Sequence, residues 1–150
     1  MVRYIDVVKK FEKKHFCPFC NEKKENMLEE KKYFYVIPAR SPYTKDHILI
    51  VPKRHVCLLK ALTHKELIQM HNLIDKRDVK LHKDHKNISL LLRDGLSKQK
   101  IGKSVNHLHF HLIPDHTVYV MSDEDSENRI FFDDKQYLKI ADKMRKRYGK

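Results

Sequence analysis

No stretch of this sequence stays apolar for the roughly 18 residues that a membrane helix requires, so no membrane partner is expected. Residues 1–14 alternate apolar and charged side chains, whereas a secretory signal carries an unbroken apolar segment. Cysteine is scarce, with three in 150 residues, too few and too unevenly placed for a disulfide framework. There is no internal repeat, which removes solenoids and propellers. These absences point to a soluble protein of the cytoplasm, with the nucleus as the alternative compartment.

Charge is abundant. Lys and Arg number 32 against 20 Asp and Glu, a formal net charge of +12, and charged residues make up 35% of the chain. Such an excess attracts nucleotides, phosphates and nucleic acid. The pairs Lys9-Lys10, Lys13-Lys14, Lys23-Lys24 and Lys31-Lys32 are dispersed and read as solvated surface. The run Lys98-Gln99-Lys100-Ile101-Gly102-Lys103 differs, because it leads into the segment with the most chemistry.

A length of 150 residues suits one domain with a buried core, and residues 1–150 are expected to form it. Tyr4, Val7, Val8 and Phe11 mark one side of a short N-terminal helix. Strands are predicted over residues 33–37, 47–51, 88–92 and 105–113, from β-branched and aromatic runs. Loops are predicted over 38–46, 94–103 and 122–128. Thr63-His64-Lys65-Glu66 has the form of a capping box and opens a helix to about residue 82, with Leu67, Met70, Ile74 and Leu81 on its buried stripe. A last helix over 136–147 ends in basic residues, which suits the helix dipole. The fold class is α+β: an antiparallel sheet of about five strands with flanking helices.

The chemistry concentrates in His107-Leu108-His109-Phe110-His111-Leu112-Ile113. In an extended chain, alternate side chains share a face. The three imidazoles therefore form a row, and Leu108, Phe110 and Leu112 face the opposite way. Histidine suits nucleophilic attack and proton transfer near neutral pH, although strands also build three-histidine metal sites. Cys17-Pro18-Phe19-Cys20 has the spacing of a zinc knuckle, with a reduced, metal-free turn as the alternative. Cys57 reads as a small buried hydrophobe.

The stretch from Gly102-Lys103-Ser104-Val105-Asn106-His107 through Ile113 resembles the signature of the histidine triad (HIT) family of nucleotide hydrolases and transferases. Upstream, Pro42-Tyr43-Thr44-Lys45-Asp46-His47-Ile48-Leu49-Ile50-Val51-Pro52-Lys53-Arg54-His55 resembles that family's second strand. The resemblance spans residues 17–114, leaves 115–150 as an uncovered extension, and is closest to the CxxC, zinc-containing branch related to diadenosine polyphosphate hydrolases and phosphorylases.

The resemblance implies that His109 attacks the α-phosphorus of a nucleotide and forms a covalent nucleotidyl-histidine, resolved by water or phosphate. The other ring nitrogen of His109 should donate to a backbone carbonyl of its own strand. His111 would hold a non-bridging phosphate oxygen, Ser104 would donate to phosphate or leaving group, and Lys103 and Arg93 would bind phosphate. His47 would contact the site or pack behind it. A structural zinc would take Cys17, Cys20, His55 and His107, so that His107 orients the strand, binds the metal, or both. A homodimer is implied as well.

Two departures stand out. Ala39 occupies a position where relatives bind ribose through Asp or Asn, and Asp46 replaces a Gly. Other readings are aprataxin-like removal of AMP from 5′-adenylated nucleic acid, the less favoured partner, and a nucleotide- or zinc-binding module without useful turnover. His15, His64, His71, His82, His85 and His116 fit no motif and are expected on solvated surfaces.

Overall fold

The computed structural model describes residues 2–96, 105–116 and 130–149. In chain order these form β1 (Val2–Arg3), α1 (Tyr4–Lys13), β2 (Glu29–Glu30), β3 (Phe34–Pro38), β4 (Ile48–Pro52), α2 (His64–Leu81), β5 (Ile88–Leu92), β6 (Phe110–Pro114), β7 (Ile130–Phe131) and α3 (Asp134–Tyr148). Five strands make one antiparallel sheet in the order β2-β3-β4-β6-β5, and β1 pairs with β7 in a separate ribbon. The α+β class read from the sequence is the one observed. Among the described residues no helix is long and apolar enough to cross a membrane.

The three central strands, FYVIP, ILIVP and FHLIP, are buried throughout. On one face Phe34, Val36, Ile48, Ile50, Leu108, Phe110 and Leu112 pack with Leu73 and Leu81 of α2 and Met144 and Tyr148 of α3. On the other, Tyr35, Ile37, Ala39, Leu49 and Val51 form a second cluster with Phe19 and Met27. His109 and His111 are buried on this second face, beside Phe19 and Leu49. β3 and β4 are thus apolar on both faces, and only the histidine segment sets a polar row into the sheet. Burying polar groups is unfavourable unless they are hydrogen-bonded; His109 Nδ1 meets the His107 carbonyl and His111 Nδ1 meets His47 Nε2.

The strand expected over 105–113 joins the ladder only from Phe110, which pairs with Ile50. Two residues further the same register would set Leu108 opposite Pro52, which has no N–H to donate. The carbonyl of Pro52 is instead 2.8 Å from His107 Nε2, and Leu108 N donates to Val56 O at 2.6 Å. His107 and His109 therefore sit on an irregular lead-in, with ring positions fixed by side-chain hydrogen bonds. Residues 97–104 and 117–129, which include part of the expected 94–103 loop and the whole 122–128 loop, lie outside the described residues.

The capping box forms as read: Glu66 N donates to Thr63 Oγ1 at 3.3 Å and Thr63 N to Glu66 Oε2 at 2.8 Å. A second box, Asp133 with Gln136, starts α3 two residues before the expected boundary. The expected Leu81 is buried in the core, and Leu67, Met70 and Ile74 pack partly buried against it, while Leu73 and Arg77 are innermost beside Leu81. Arg77 is 2% exposed and donates to Glu29 Oε2 at 2.6 Å, while Lys76 reaches Glu29 Oε1 at 2.8 Å.

Burial disfavours the Glu29 charge, yet hydrogen bonds from Lys76 and Arg77 outweigh it and hold the pKa down to about 2. The stabilisation is therefore complete above the ordinary carboxylate value and is lost as pH falls through about 4.5 toward about 2. Glu29→Gln is expected to destabilise by roughly 3–5 kcal/mol at pH 7, since it leaves Arg77 buried beside a neutral amide. Urea unfolding between pH 2 and 7 measures both effects, and equal acid sensitivity in E29Q and wild type would contradict them.

Candidate active site and metal centre

Four imidazoles meet at the lead-in to β6; backbone groups fix the tautomers of His107, His109 and His47, and the His47 ring fixes that of His111. His109 Nδ1 lies 2.7 Å from the carbonyl oxygen of His107. A carbonyl can only accept, so Nδ1 carries the proton and Nε2 is the basic nitrogen. Opposite logic governs the next ring. Tyr43 N–H donates to His47 Nδ1 at 3.2 Å, which places the His47 proton on Nε2. That nitrogen lies 3.0 Å from His111 Nδ1 and donates to it, so His111 carries its own proton on Nε2. Neighbouring imidazoles, with centroids 4.8 Å apart, thus present contrasting groups: a lone pair on His109 and an N–H on His111.

His107 turns the other way. Its Nε2 donates to Pro52 O at 2.8 Å, leaving Nδ1 unprotonated and facing two thiols, 3.4 Å from Cys17 Sγ and 3.5 Å from Cys20 Sγ. Cys20 Sγ is also 3.1 Å from His55 Nδ1. The four donor atoms lie within 4.8 Å of one another. Tetrahedral zinc, with bonds near 2.3 Å to sulfur and 2.0–2.1 Å to nitrogen, places sulfur and nitrogen about 3.6 Å apart, so the cluster fits such an ion. Burial and then the neighbouring Cys17 push the Cys20 thiol up to about 11, a penalty on the thiolate that a divalent cation relieves.

The imidazoles open onto a cleft of about 270 Å³ whose lining includes Ile37, Ala39, Leu49, Arg93, His109 and His111. Tyr4, Val8 and Phe11 of α1 line it too, so the apolar stripe of that helix faces the site. Phe19 packs on both His109 and His107, with centroids 4.9 and 5.7 Å apart. It was missed as a site residue; its place between the two CxxC cysteines is the signal. The Ala39 side chain offers no hydrogen bond, and the cleft carboxylates are Glu22 and Asp134, paired with Arg40 at 3.6 and 2.9 Å. Lys103 and Ser104 lie outside the described residues.

Three expectations change. Cys57 is only partly buried, with its sulfur 3.9 Å from His55 Nε2 and 3.3 Å from Asn106 O, at the margin of the Cys/His cluster. Asp46 adopts φ +64, the left-handed region where a residue with a Cβ carries a penalty of about 1 kcal/mol that a Gly there would not carry. His85 and His116 are partly buried: the His85 side chain is 11% exposed between two carboxylates, and His116 stacks on Tyr43.

The HIT domain family model matches residues 20–118, whereas no curated protein matches the sequence. Among solved structures, a Hit-like protein involved in cell-cycle regulation from Bartonella henselae aligns with a TM-score of 0.64 at 19% identity, covering 85% of this chain and 90% of that one. A Zn-bound histidine triad family protein from Mycobacterium smegmatis gives 0.57 at 17% identity, over 87% and 96% of the two chains. A diadenosine triphosphate hydrolase from Plasmodium falciparum gives 0.56 at 19% identity, over 85% and 81%. At these identities the likeness establishes the fold.

Proposed function

This chain belongs to the HIT domain family of histidine triad nucleotide hydrolases and transferases, and from that premise we propose that it is a nucleotidyl hydrolase. Its substrates are phosphoanhydrides or phosphoramidates of a nucleoside monophosphate, with dinucleoside polyphosphates the favoured class. One observation carries the reading: His109 and His111 hold contrasting tautomers side by side at the edge of one cleft. Nucleotidyl transfer needs such a pair, a lone pair to attack phosphorus and an N–H to hold the oxygens around it.

In the first step the His109 Nε2 lone pair forms a bond to the α-phosphorus, and the phosphorus–oxygen or phosphorus–nitrogen bond to the leaving group breaks with its electron pair. The imidazole becomes cationic, and the carbonyl of His107, 2.7 Å from Nδ1, stabilises that charge. His111 Nε2–H holds a non-bridging oxygen, Arg93 adds positive charge from the cleft wall, and Ser104 and Lys103 serve the leaving group. In the second step water bonds to phosphorus and releases one proton to solvent, the phosphorus–nitrogen bond breaks, and the nucleoside monophosphate departs as His109 recovers its lone pair. Glu22, rather than Ala39, accepts from the sugar hydroxyls.

Cys17, Cys20, His55 and His107 would hold a zinc ion whose role is to tie the N-terminal segment to the histidine lead-in. The zinc-bound mycobacterial relative supports this assignment. The protein is further proposed to act in the cytoplasm as a homodimer.

The test is a quenched-reaction mass spectrum over a panel of dinucleoside polyphosphates and adenylated small molecules. A nucleoside monophosphate adduct on the peptide containing His109 is expected; neither adduct nor turnover with any of them would overturn the proposal. The net charge of +12 favours a second reading, release of AMP from 5′-adenylated nucleic acid. Relative turnover of diadenosine tetraphosphate and 5′-adenylated DNA separates the two.

A further inference from the structure

His85, at the turn between α2 and β5, lies between two carboxylates: its Nε2 is 3.0 Å from Asp46 Oδ2 and its Nδ1 is 2.9 Å from Asp115 Oδ2. Ionised carboxylates only accept, so both ring nitrogens donate and the ring is an imidazolium. Asp46 and Asp115 both have left-handed backbones, φ +64 and +47, at the turns where the chain enters β4 and leaves β6. Asp46 Oδ2 also accepts from Tyr148 Oη at 2.7 Å, and Asp115 Oδ1 accepts from Lys86 N and Asn87 N at 3.1 and 3.0 Å. A single charged ring thus joins two chain segments and, through Asp46, the end of α3.

The next residue after Asp46 is His47, whose Nε2 donates to His111 Nδ1 at 3.0 Å. Any movement of the Asp46 turn moves the ring that sets the His111 tautomer. We propose that His85, gripped by Asp46 and Asp115, is a positioning residue that holds His47 against His111, and that its grip weakens when its charge is lost. This rests on the reading of His111 as a phosphate donor.

The groups facing His85 come from every element around it. Asp46 and Asp115 supply the carboxylates, Tyr148 Oη is 3.4 Å from Nε2, and His82 Nδ1 is 3.2 Å from the His85 carbonyl. Arg147 pairs with Asp84 at 2.8 Å and lies 3.8 Å from Asp46. Burial opposes the charge on His85, but the hydrogen bonds to Asp115 and Asp46 outweigh it and raise the pKa above its ordinary 6.5. The grip is therefore complete below about 6.5 and is released as pH climbs through the raised value.

The experiment follows kcat and KM from pH 5.5 to 9.5 in wild type, His85→Gln and Asp115→Asn, alongside ¹⁵N imidazole spectra of the wild type. Wild-type kcat should decline on the alkaline side at constant KM. Asp115→Asn should move that decline to lower pH, because one carboxylate charge is gone while the amide oxygen still accepts from Lys86 and Asn87. His85→Gln should lie roughly three- to tenfold lower at neutral pH, without this alkaline decline. In the spectra, His85 should titrate above its ordinary value, and the His47 and His111 resonances should shift at the same pH.

An identical alkaline decline in all three proteins would overturn the proposal. So would His85 titrating at or below its ordinary value, or His111 resonances indifferent to it. If the wild type turned over no nucleotide, the proposed function would fail, and the spectra would still decide whether His85 governs His47 and His111.

Discussion

His109→Ala is expected to lower kcat by roughly 10⁴-fold or more while nucleoside monophosphate affinity stays within about tenfold of wild type. The asymmetry follows from what the ring does. Apolar cleft residues such as Ile37, Leu49 and Phe19, together with Arg93, line the cleft and, on the proposed reading, supply ground-state binding that remains, whereas the only proposed bond-forming atom is removed. Stability should fall by about 1–3 kcal/mol, because the buried His107 carbonyl loses the donor 2.7 Å away.

His111→Asn gives the contrast. It removes the proposed oxyanion donor and keeps the proposed nucleophile, so the expected loss is about 10²–10³-fold and the adduct on His109 should still form. Single-turnover kinetics, adduct mass spectrometry and calorimetric binding of the monophosphate measure the three quantities. An adduct in His109→Ala, or turnover above a tenth of wild type, would remove His109 from its role.

The sheet was legible wherever a local pattern suffices. The runs of β-branched and aromatic residues located β3, β4 and β5, and the capping box located the start of α2. The ends of β3 and β4 shifted by one residue because Pro38 and Pro52 close their strands from inside: each lacks an N–H but still pairs in the register, with Ile48 and Phe34 respectively. Pairings distant in sequence were not legible. Glu29 stood in a polar run, and its burial depends on Arg77, 48 residues away. His85 looked like any solvated histidine, since its carboxylates lie 39 and 30 residues off. The CxxC spacing on its own identified two cysteines; the two histidines that complete the cluster came from the resemblance. The stripe of α1 was read correctly, but not that it roofs a cleft.

Removal of the proposed zinc is the second large effect expected, and it should be felt both in folding and in turnover. His107 serves two ends at once: its ring faces Cys17 and Cys20, and its carbonyl accepts from His109 Nδ1. Without a cation the Cys20 thiol is pushed up to about 11, and nothing draws the sulfurs toward the imidazoles. The contacts that then hold the lead-in include Pro52 O on the His107 ring, Val56 O on Leu108 N and Cys57 Sγ on Asn106 O, and the tautomer of His109 is expected to lose definition. Cys17→Ser or chelation is therefore expected to lower stability by several kcal/mol and kcat by about 10- to 100-fold.

The kcat loss should be smaller than in His109→Ala, because the attacking nitrogen is still present in a fraction of molecules. Elemental analysis should find one zinc per chain, lost in Cys17→Ser. Thermal unfolding with and without chelator reports the stability arm, and zinc added back should restore kcat to the chelated wild type but not to the variant. Freshly prepared protein with no bound metal and a melting temperature indifferent to chelator would rule out the zinc, and the histidine lead-in would then have to be held by its backbone contacts alone.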